Sequence, residues 1–238
     1  MSKLPFLSCL CPTFRRPALL RQSIDLFVSQ VYPTSRCELV ILDDSERSSR
    51  EVRSAGNVRY NWQSRRSPTL PEKYTELAGL AQLGDALAIW EDDDTYLPDY
   101  LMRHALALVG SDWSKPSEVL SDYADPPNWG LERADGRFFS SIVFRRSLYQ
   151  RVGGFVLTPR ADFDQQFIAR LATAALPGDP CQFGEPQYVY RWHTGHVHGQ
   201  SYMSGPDDVT WYERAGGPIP APGTSAPGPD NTPRMGAG

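Results

Sequence analysis

Short apolar segments that each end in a cluster of polar residues constrain the fold of this chain more than any other feature. Four such segments occur in the first ninety residues, at 4–10, 38–42, 57–62 and 85–90. Apolar residues at helical spacing lie between them, at 17–30 and 70–83, and Pro98 begins a further helix. Buried strands that alternate with helices predict an α/β fold with a mainly parallel sheet flanked by helices.

Polar clusters follow three of these predicted strands. CPTFRR ends the first strand, DDS (43–45) follows the second, and EDDD (91–94) follows the fourth. Ligands of parallel α/β sheets bind at the carboxyl ends of the strands. We therefore expect these three clusters to share one binding site.

The second half of the chain is less regular, and it predicts one folded domain followed by a tail. Strands are expected at 138–144 and 187–192, and helices at 147–151 and 162–175. The end of the chain is rich in Gly, Pro, Ala and Ser and has little to bury, which is typical of a disordered segment. We expect a single domain at 1–213 and a flexible C-terminal tail at 214–238.

Composition excludes several classes of protein. Hydrophobic residues make up 40% and charged residues 22%, as in ordinary soluble proteins. The net charge of −4 gives no general case for nucleic-acid binding. The sequence has no signal-peptide pattern and no apolar run near ~18 residues, so we expect no membrane span. Four cysteines without a CxxC pair predict no zinc site and fit a reduced, cytoplasmic setting.

The acidic run Glu91–Asp94 carries the clearest chemical signal. Adjacent carboxylates repel one another and raise one another's pKa, and a divalent cation removes that cost. Oxygen ligands suit Mg²⁺ or Mn²⁺. The alternative is a solvated acidic loop that precedes a helix, where negative charge is also favourable. The position of the run directly after a buried strand favours the cation.

The order of these motifs resembles that of the family 2 glycosyltransferases of GT-A fold. CPTFRRP is similar to their P-T-Y-N-R first loop, and EDDDTYLP to their D-x-D motif followed by Y-x-P. Further along, FFSSIVFRRSLYQRVGGF and ADFDQQFIARL resemble their acceptor-side segment and their E-D helix. The resemblance runs from about Leu4 to Tyr202. It implies a nucleotide-binding half at about 1–110 and an acceptor-binding half at about 111–213.

The resemblance also implies roles for individual residues. On the donor side, the first loop would line the pocket for the nucleotide base, and Asp44 would accept a hydrogen bond from the base. Lys73 would lie near the phosphates or the ribose, and Asp92 would approach the ribose. The implied nucleotide-binding set is Pro12, Thr13, Phe14, Arg16, Asp44, Lys73 and Asp92. The implied metal ligands are Asp93 and Asp94, the catalytic base is Asp164 with Asp162 as the second choice, and the acceptor side contains Gly153 and Gly154. Apart from the resemblance, the aromatic ring of Trp129 could stack on a sugar of the acceptor or could simply pack against the protein.

The chain departs from the family pattern at two positions. Arg15 stands where the first loop usually has Asn, and Glu91 replaces the first acid of the D-x-D motif. Arg15 could contact phosphate or acceptor, which makes an uncommon donor conceivable. Glu91 keeps the negative charge, so metal binding is still expected.

Three of the four histidines lie in YRWHTGHVHGQSY at 190–202. The resemblance implies that a histidine after the last strand completes the metal site. It favours His198 over His196, with His193 the least favoured, and a polar loop without a ligand is the alternative.

The predicted function is a metal-dependent, inverting glycosyltransferase that uses Mn²⁺ or Mg²⁺ and a nucleotide-sugar donor, with UDP favoured. The acceptor could be a glycan, a small molecule, or a modified base in nucleic acid. A GT-A-like domain that binds nucleotide sugar or glycan without turnover is the second hypothesis. A nucleotidyltransferase is disfavoured because the first loop has no glycine.

Overall fold

The computed structural model describes residues 4–49, 52–81, 83–122, 129–158 and 162–191. The predicted α/β fold is confirmed, with strands and helices that alternate through the first half. In chain order the elements are β1 (Leu7–Thr13), α1 (Pro17–Val28), β2 (Cys37–Asp43), β3 (Val58–Trp62), α2 (Leu70–Leu80), β4 (Ala86–Ile89), β5 (Thr95–Tyr96), α3 (Tyr100–Ala107), β6 (Trp113–Ser114), β7 (Glu118–Asp122), β8 (Trp129–Arg133), β9 (Val143–Arg145), α4 (Arg146–Arg151), α5 (Phe163–Ala174) and β10 (Tyr188–Arg191).

The main sheet has six strands within the described residues, in the order β3-β2-β1-β4-β9-β6. The four strands of the first half are parallel, and β9 runs antiparallel to both β4 and β6. At the centre, Leu10 pairs with Val40 on one side and Ile89 on the other. All residues of β1, β2 and β4 are buried, which explains why these strands read as continuous apolar runs.

Helices cover both faces of this sheet. Because successive side chains of a strand point to opposite faces, Cys9 and Ile41 belong to one core cluster, with Leu20 of α1 and Leu101 of α3. The alternate strand residues, including Leu10, belong to a second cluster with residues of α2, α4 and α5. The sheet is therefore the middle layer of three, and its carboxyl edge is where loops meet.

A second, smaller sheet has the order β5-β10-β7-β8 among the described strands. β10 runs antiparallel to β5 and parallel to β7. Because β5 begins directly after the acidic run, this pairing brings the end of the described chain beside Glu91–Asp94.

Two adjacent arginines cap helix ends. The guanidinium of Arg146 donates to the carbonyl of Ala78 in the last turn of α2 and to the carbonyls of Ala81 and Gly84 just beyond it. Arg145 donates to the carbonyl of Leu108, at the end of α3, at 2.6 Å. Cations at helix C-termini satisfy carbonyls that have no partner within the helix, so both side chains serve the fold.

Among the described residues, no helix is long and apolar enough to cross a membrane. The predicted tail at 214–238 and all three clustered histidines lie outside the described residues.

Candidate functional site

The polar clusters meet at the carboxyl edge of the main sheet, because β1 lies between β2 and β4 and all three strands are parallel. Thr13 ends β1 and pairs with Asp43 at the end of β2. The Thr13 hydroxyl also donates to a carboxylate oxygen of Asp92, just beyond β4, at 2.6 Å. The three loops that follow these strands therefore line one common site.

Arg16 connects the first loop to the acidic run. Its Nη1 atom lies 3.0 Å from Oδ1 of Asp92 and 2.7 Å from Oδ2 of Asp93. Asp92 is only 4% exposed. Burial, with the negative charge of Asp93, raises the pKa of Asp92 to about 6, although Arg16 and Thr13 act in the opposite direction. A carboxylate here depends on nearby positive charge to stay ionised.

Three acidic side chains form a group that could hold a cation. Glu91, Asp93 and Asp94 each offer one oxygen atom, and these atoms lie within 4.8 Å of one another. Burial first, then the charges of Asp93 and Asp94, raise the pKa of Glu91 well above its usual value. Hard oxygen donors in this arrangement fit Mg²⁺ or Mn²⁺. Sequence reasoning named Asp93 and Asp94 as ligands and did not include Glu91.

Partners from other elements orient the cluster. Tyr74 of α2 donates to Oε1 of Glu91 at 2.8 Å. Oδ2 of Asp94 accepts from the hydroxyls of Ser140 and Tyr188, at 2.7 and 2.6 Å. Burial, and then the charge of Asp94, raise the pKa of the Tyr188 phenol well above its usual value, so it stays a donor. These hydrogen bonds restrain the carboxylates of Glu91 and Asp94.

Asp44 and Lys73 form an ion pair buried at the end of β2. The Nζ atom of Lys73 lies 2.6 Å from Oδ1 of Asp44 and donates to the carbonyl of Thr13 at 2.6 Å. Both side chains are fully buried, and the backbone N–H of Ser67 donates to the other oxygen of Asp44 at 3.0 Å. In this structure the pair ties β1, β2 and α2 together. The predicted contacts of Asp44 with a base and of Lys73 with phosphate or ribose stay predictions.

Phe14 lies half-buried in the first loop, between two guanidinium groups. The carbon at the centre of each guanidinium is 5.1 Å from the ring centroid for Arg15 and 4.4 Å for Arg66. Pro12, two residues earlier, is buried within β1.

Arg15 adopts a left-handed backbone conformation, with φ of 55°. Its N–H donates to the Ser45 hydroxyl at 2.7 Å, and its guanidinium pairs with Glu46. Asparagine tolerates this conformation better than other non-glycine residues, which explains physically why an asparagine would suit this position.

A cavity of about 520 Å³ opens beside this edge of the sheet. It lies between the first loop, the start of α1 and the loop after β2, and its lining includes Thr13, Arg15, Arg16, Asp43 and Ser45. Asp43 accepts hydrogen bonds from the N–H of Ser45 at 3.0 Å and from the Tyr60 hydroxyl at 2.6 Å. The volume suits a nucleotide-sized ligand. Asp43 lines this cavity, whereas the sequence analysis named its neighbour Asp44.

The two candidate bases lie at the start of α5. Asp162 is the residue before the helix and Asp164 is in its first turn. Burial raises the pKa of Asp164, although the N–H of Gln165 donates to it at 2.7 Å. Phe163, between them, packs near the ring of Tyr74 with 6.4 Å between centroids. Because Tyr74 also contacts Glu91, this packing fixes the start of α5 relative to the acidic cluster.

The acceptor-side candidates lie at two places. Gly153 and Gly154 end α4 with φ of 80° and 76°, and a Cβ on Gly154 would lie 3.2 Å from the Tyr149 hydroxyl. Both glycines thus have a backbone reason to be glycine. Trp129 begins β8 opposite Asp122 and is 44% exposed. His196 and His198, the remaining candidates, lie outside the described residues.

Solved structures share this architecture. S. aureus TarS 1–349 in complex with UDP-GlcNAc is similar with a TM-score of 0.65 at 15% identity, over 80% of this chain and 59% of that one. The mannosyltransferase PcManGT from Pyrobaculum calidifontis, in complex with GDP-Man and Mn²⁺, gives a TM-score of 0.55 at 18% identity, over 84% of this chain and 59% of that one. The chain has the GT-A fold.

The GT-A fold is shared without detectable similarity of sequence. No protein-family model matches the chain, and no curated protein matches it. The chain corresponds to only part of the length of these neighbours. It covers 36% of a longer S. aureus TarS chain, with a TM-score of 0.63 at 15% identity. Function must therefore be argued from the site.

Proposed function

We propose that the protein is a metal-dependent glycosyltransferase that moves a sugar from a nucleoside diphosphate donor to an acceptor hydroxyl. One observation carries the proposal. The acidic run after β4 converges with Thr13 and Arg16 at the carboxyl edge of a GT-A sheet, and Glu91, Asp93 and Asp94 can face one ion. Neighbours of this fold bind UDP-GlcNAc, or GDP-Man with Mn²⁺.

Asp93 and Asp94 would hold Mn²⁺ or Mg²⁺ with Glu91, and a histidine from the segment after β10 would complete the set. Such an ion would neutralise the negative charge that develops on the departing diphosphate. Asp92, held by Thr13 and Arg16, would face the ribose. The cavity beside Asp43 is the proposed place for the nucleoside, and UDP is the first donor nucleotide to test.

Asp164 is proposed as the base that takes the proton from the acceptor hydroxyl. A base works best when its pKa lies near the working pH, and burial moves the pKa of Asp164 upward, in that direction. Attack by that hydroxyl in one in-line displacement inverts the anomeric centre. Trp129 offers an exposed aromatic face on which a sugar of the acceptor would stack. The net charge of −4 is unfavourable for nucleic acid. Both features favour a glycan as the acceptor.

The test is release of nucleoside diphosphate from UDP-, GDP- and TDP-sugars with Mn²⁺, with and without EDTA. We expect turnover with at least one donor, its loss in EDTA, and its loss in Asp93→Asn. Arg151→Gln is the matched control, because Arg151 forms an exposed ion pair with Asp112 and belongs to none of these clusters. Failure of every donor both to bind and to turn over would refute the proposal.

A further inference from the structure

Arg16 stands between two parts of the site. Arg16 is one of the residues that line the cavity beside Asp43, and its guanidinium bridges Asp92 and Asp93 through one nitrogen atom. Only 20% of the Arg16 side chain is exposed, and Asp93 is exposed to 13%. A positive group thus already neutralises the carboxylate that would bind the ion.

We propose that Arg16 is a positioning residue that holds Asp93 in the unliganded protein and transfers its charge to the diphosphate of an incoming nucleotide. Divalent cation and nucleotide would then bind cooperatively, and the cation alone would bind weakly. The inference rests on the proposed function, and it adds a binding order that the acidic cluster alone does not imply.

Electrostatics supports this coupling. The Arg16 nitrogen lies 2.7 Å from Oδ2 of Asp93. A divalent ion bound by that carboxylate would therefore sit within a few ångströms of the guanidinium, in a part-buried place where repulsion is weakly screened. A bound diphosphate would remove this repulsion, because the guanidinium would then pair with phosphate in a charge-assisted, bidentate geometry.

The position of Arg16 in the chain makes the transfer simple. Arg16 immediately precedes α1, and its backbone is fixed by the hydrogen bond from the N–H of Leu20 to its carbonyl, at 2.9 Å. Arg16 is already part of the cavity lining. Rotation of the side chain alone would move the charge from Asp93 toward an anion in the cavity, without refolding of the first loop.

A competing possibility is that Arg16 permanently replaces the metal. The guanidinium would then stay on Asp92 and Asp93, and a nucleotide would bind without any divalent ion. The two alternatives differ in one measurable quantity, the coupling free energy between Mn²⁺ and nucleotide, which is the same whichever ligand is added first.

The experiment titrates Mn²⁺ by the EPR signal of the free ion, with and without saturating UDP, and repeats it with GDP. The proteins are the full chain, Arg16→Gln, Arg16→Lys, and Arg151→Gln as the control. Removal of one nearby positive charge is expected to tighten binding of Mn²⁺ alone by about tenfold or more. The gain in Mn²⁺ affinity on adding nucleotide is expected to shrink by a similar factor in Arg16→Gln and to be largely kept in Arg16→Lys.

Each outcome decides the proposal. Equal Mn²⁺ affinity in the unaltered protein and in Arg16→Gln, or equal coupling to nucleotide, overturns the role of Arg16 while leaving the proposed function standing. A Mn²⁺ affinity that neither UDP nor GDP changes in the unaltered protein shows no coupling between cation and nucleotide and also overturns it. Absence of both nucleotide and Mn²⁺ binding refutes the proposed function as well. Circular dichroism of each variant confirms that the fold is kept.

Discussion

Replacement of Lys73 by methionine tests how far the site depends on its buried ion pair. Lys73 has no exposed surface, and its ammonium lies 2.6 Å from Asp44, which is also fully buried. Methionine fills a similar volume and cannot pair with a carboxylate. The substitution therefore leaves the negative charge of Asp44 buried beside Ser67 with its main partner removed.

The expected cost follows from the partners lost. Breaking a buried ion pair by removing one partner costs about 3–5 kcal/mol, because the remaining charge is uncompensated. The carbonyl of Thr13 also loses the hydrogen bond that Lys73 donates at 2.6 Å. Domains of this kind are stable by roughly 5–15 kcal/mol, so we expect Lys73→Met to remove a large share of the free energy of unfolding.

The assay is equilibrium unfolding in urea, followed by circular dichroism. Lys115→Met is the matched control: Lys115 is also nearly buried, but its ammonium donates to the carbonyl of Arg137 rather than to a carboxylate in the described structure. We expect Lys115→Met to cost about 1 kcal/mol, and Lys73→Met combined with Asp44→Asn to recover part of the loss. A cost below about 1 kcal/mol for Lys73→Met, or no recovery in the double variant, would refute the reasoning.

Three further outcomes are expected. Asp164→Asn should lower turnover by at least about a hundredfold while donor affinity in calorimetry stays unchanged; full activity would remove the proposed base. Burial lowers the pKa of His104 to about 3, so the unfolded chain binds more protons than the folded protein between about pH 6.5 and 3. The free energy of unfolding should therefore fall as the pH drops through that range, and it should fall less steeply in His104→Gln. Equal slopes in the two proteins would contradict this. Arg146→Met should cost about 2–3 kcal/mol in urea unfolding, because three carbonyls in and just after the last turn of α2 lose their donor. A cost no larger than that of Arg151→Met would exclude the capping role.

The sequence predicted β1, β2 and β4 because each is a short apolar run whose residues are all buried. It also predicted β3, which is only partly buried, and it did not predict the two-residue strand β6. It also predicted that polar residues would gather where β1, β2 and β4 end, since parallel neighbours bring their carboxyl ends to one edge. Local pattern is sufficient for these features. The helix starts at Pro17 and Leu70 follow for the same reason, and α5 begins at Phe163, one residue after the predicted start at Asp162.

Long-range partners were beyond the reach of local pattern. Asp43 and Asp44 are adjacent and chemically identical, and no local pattern distinguishes them. Asp43 ends β2 and lines the cavity, whereas Asp44, just beyond the strand, pairs with Lys73. The contribution of Glu91 to the cluster depends on its contact with Tyr74, seventeen positions away. The assignment of Arg145 and Arg146 to helix caps required knowing which carbonyls lie beside them.

The hydrogen bonds to Asp94 have a consequence for how such a domain can evolve. The acid belongs to the first half of the chain, but the hydroxyls that hold it come from Ser140 and Tyr188 in the second. A first half expressed or inherited alone would carry the full acidic motif and lack the donors that orient it. An exchanged second half would therefore preserve the arrangement of Asp94 only where it supplies equivalent hydroxyls.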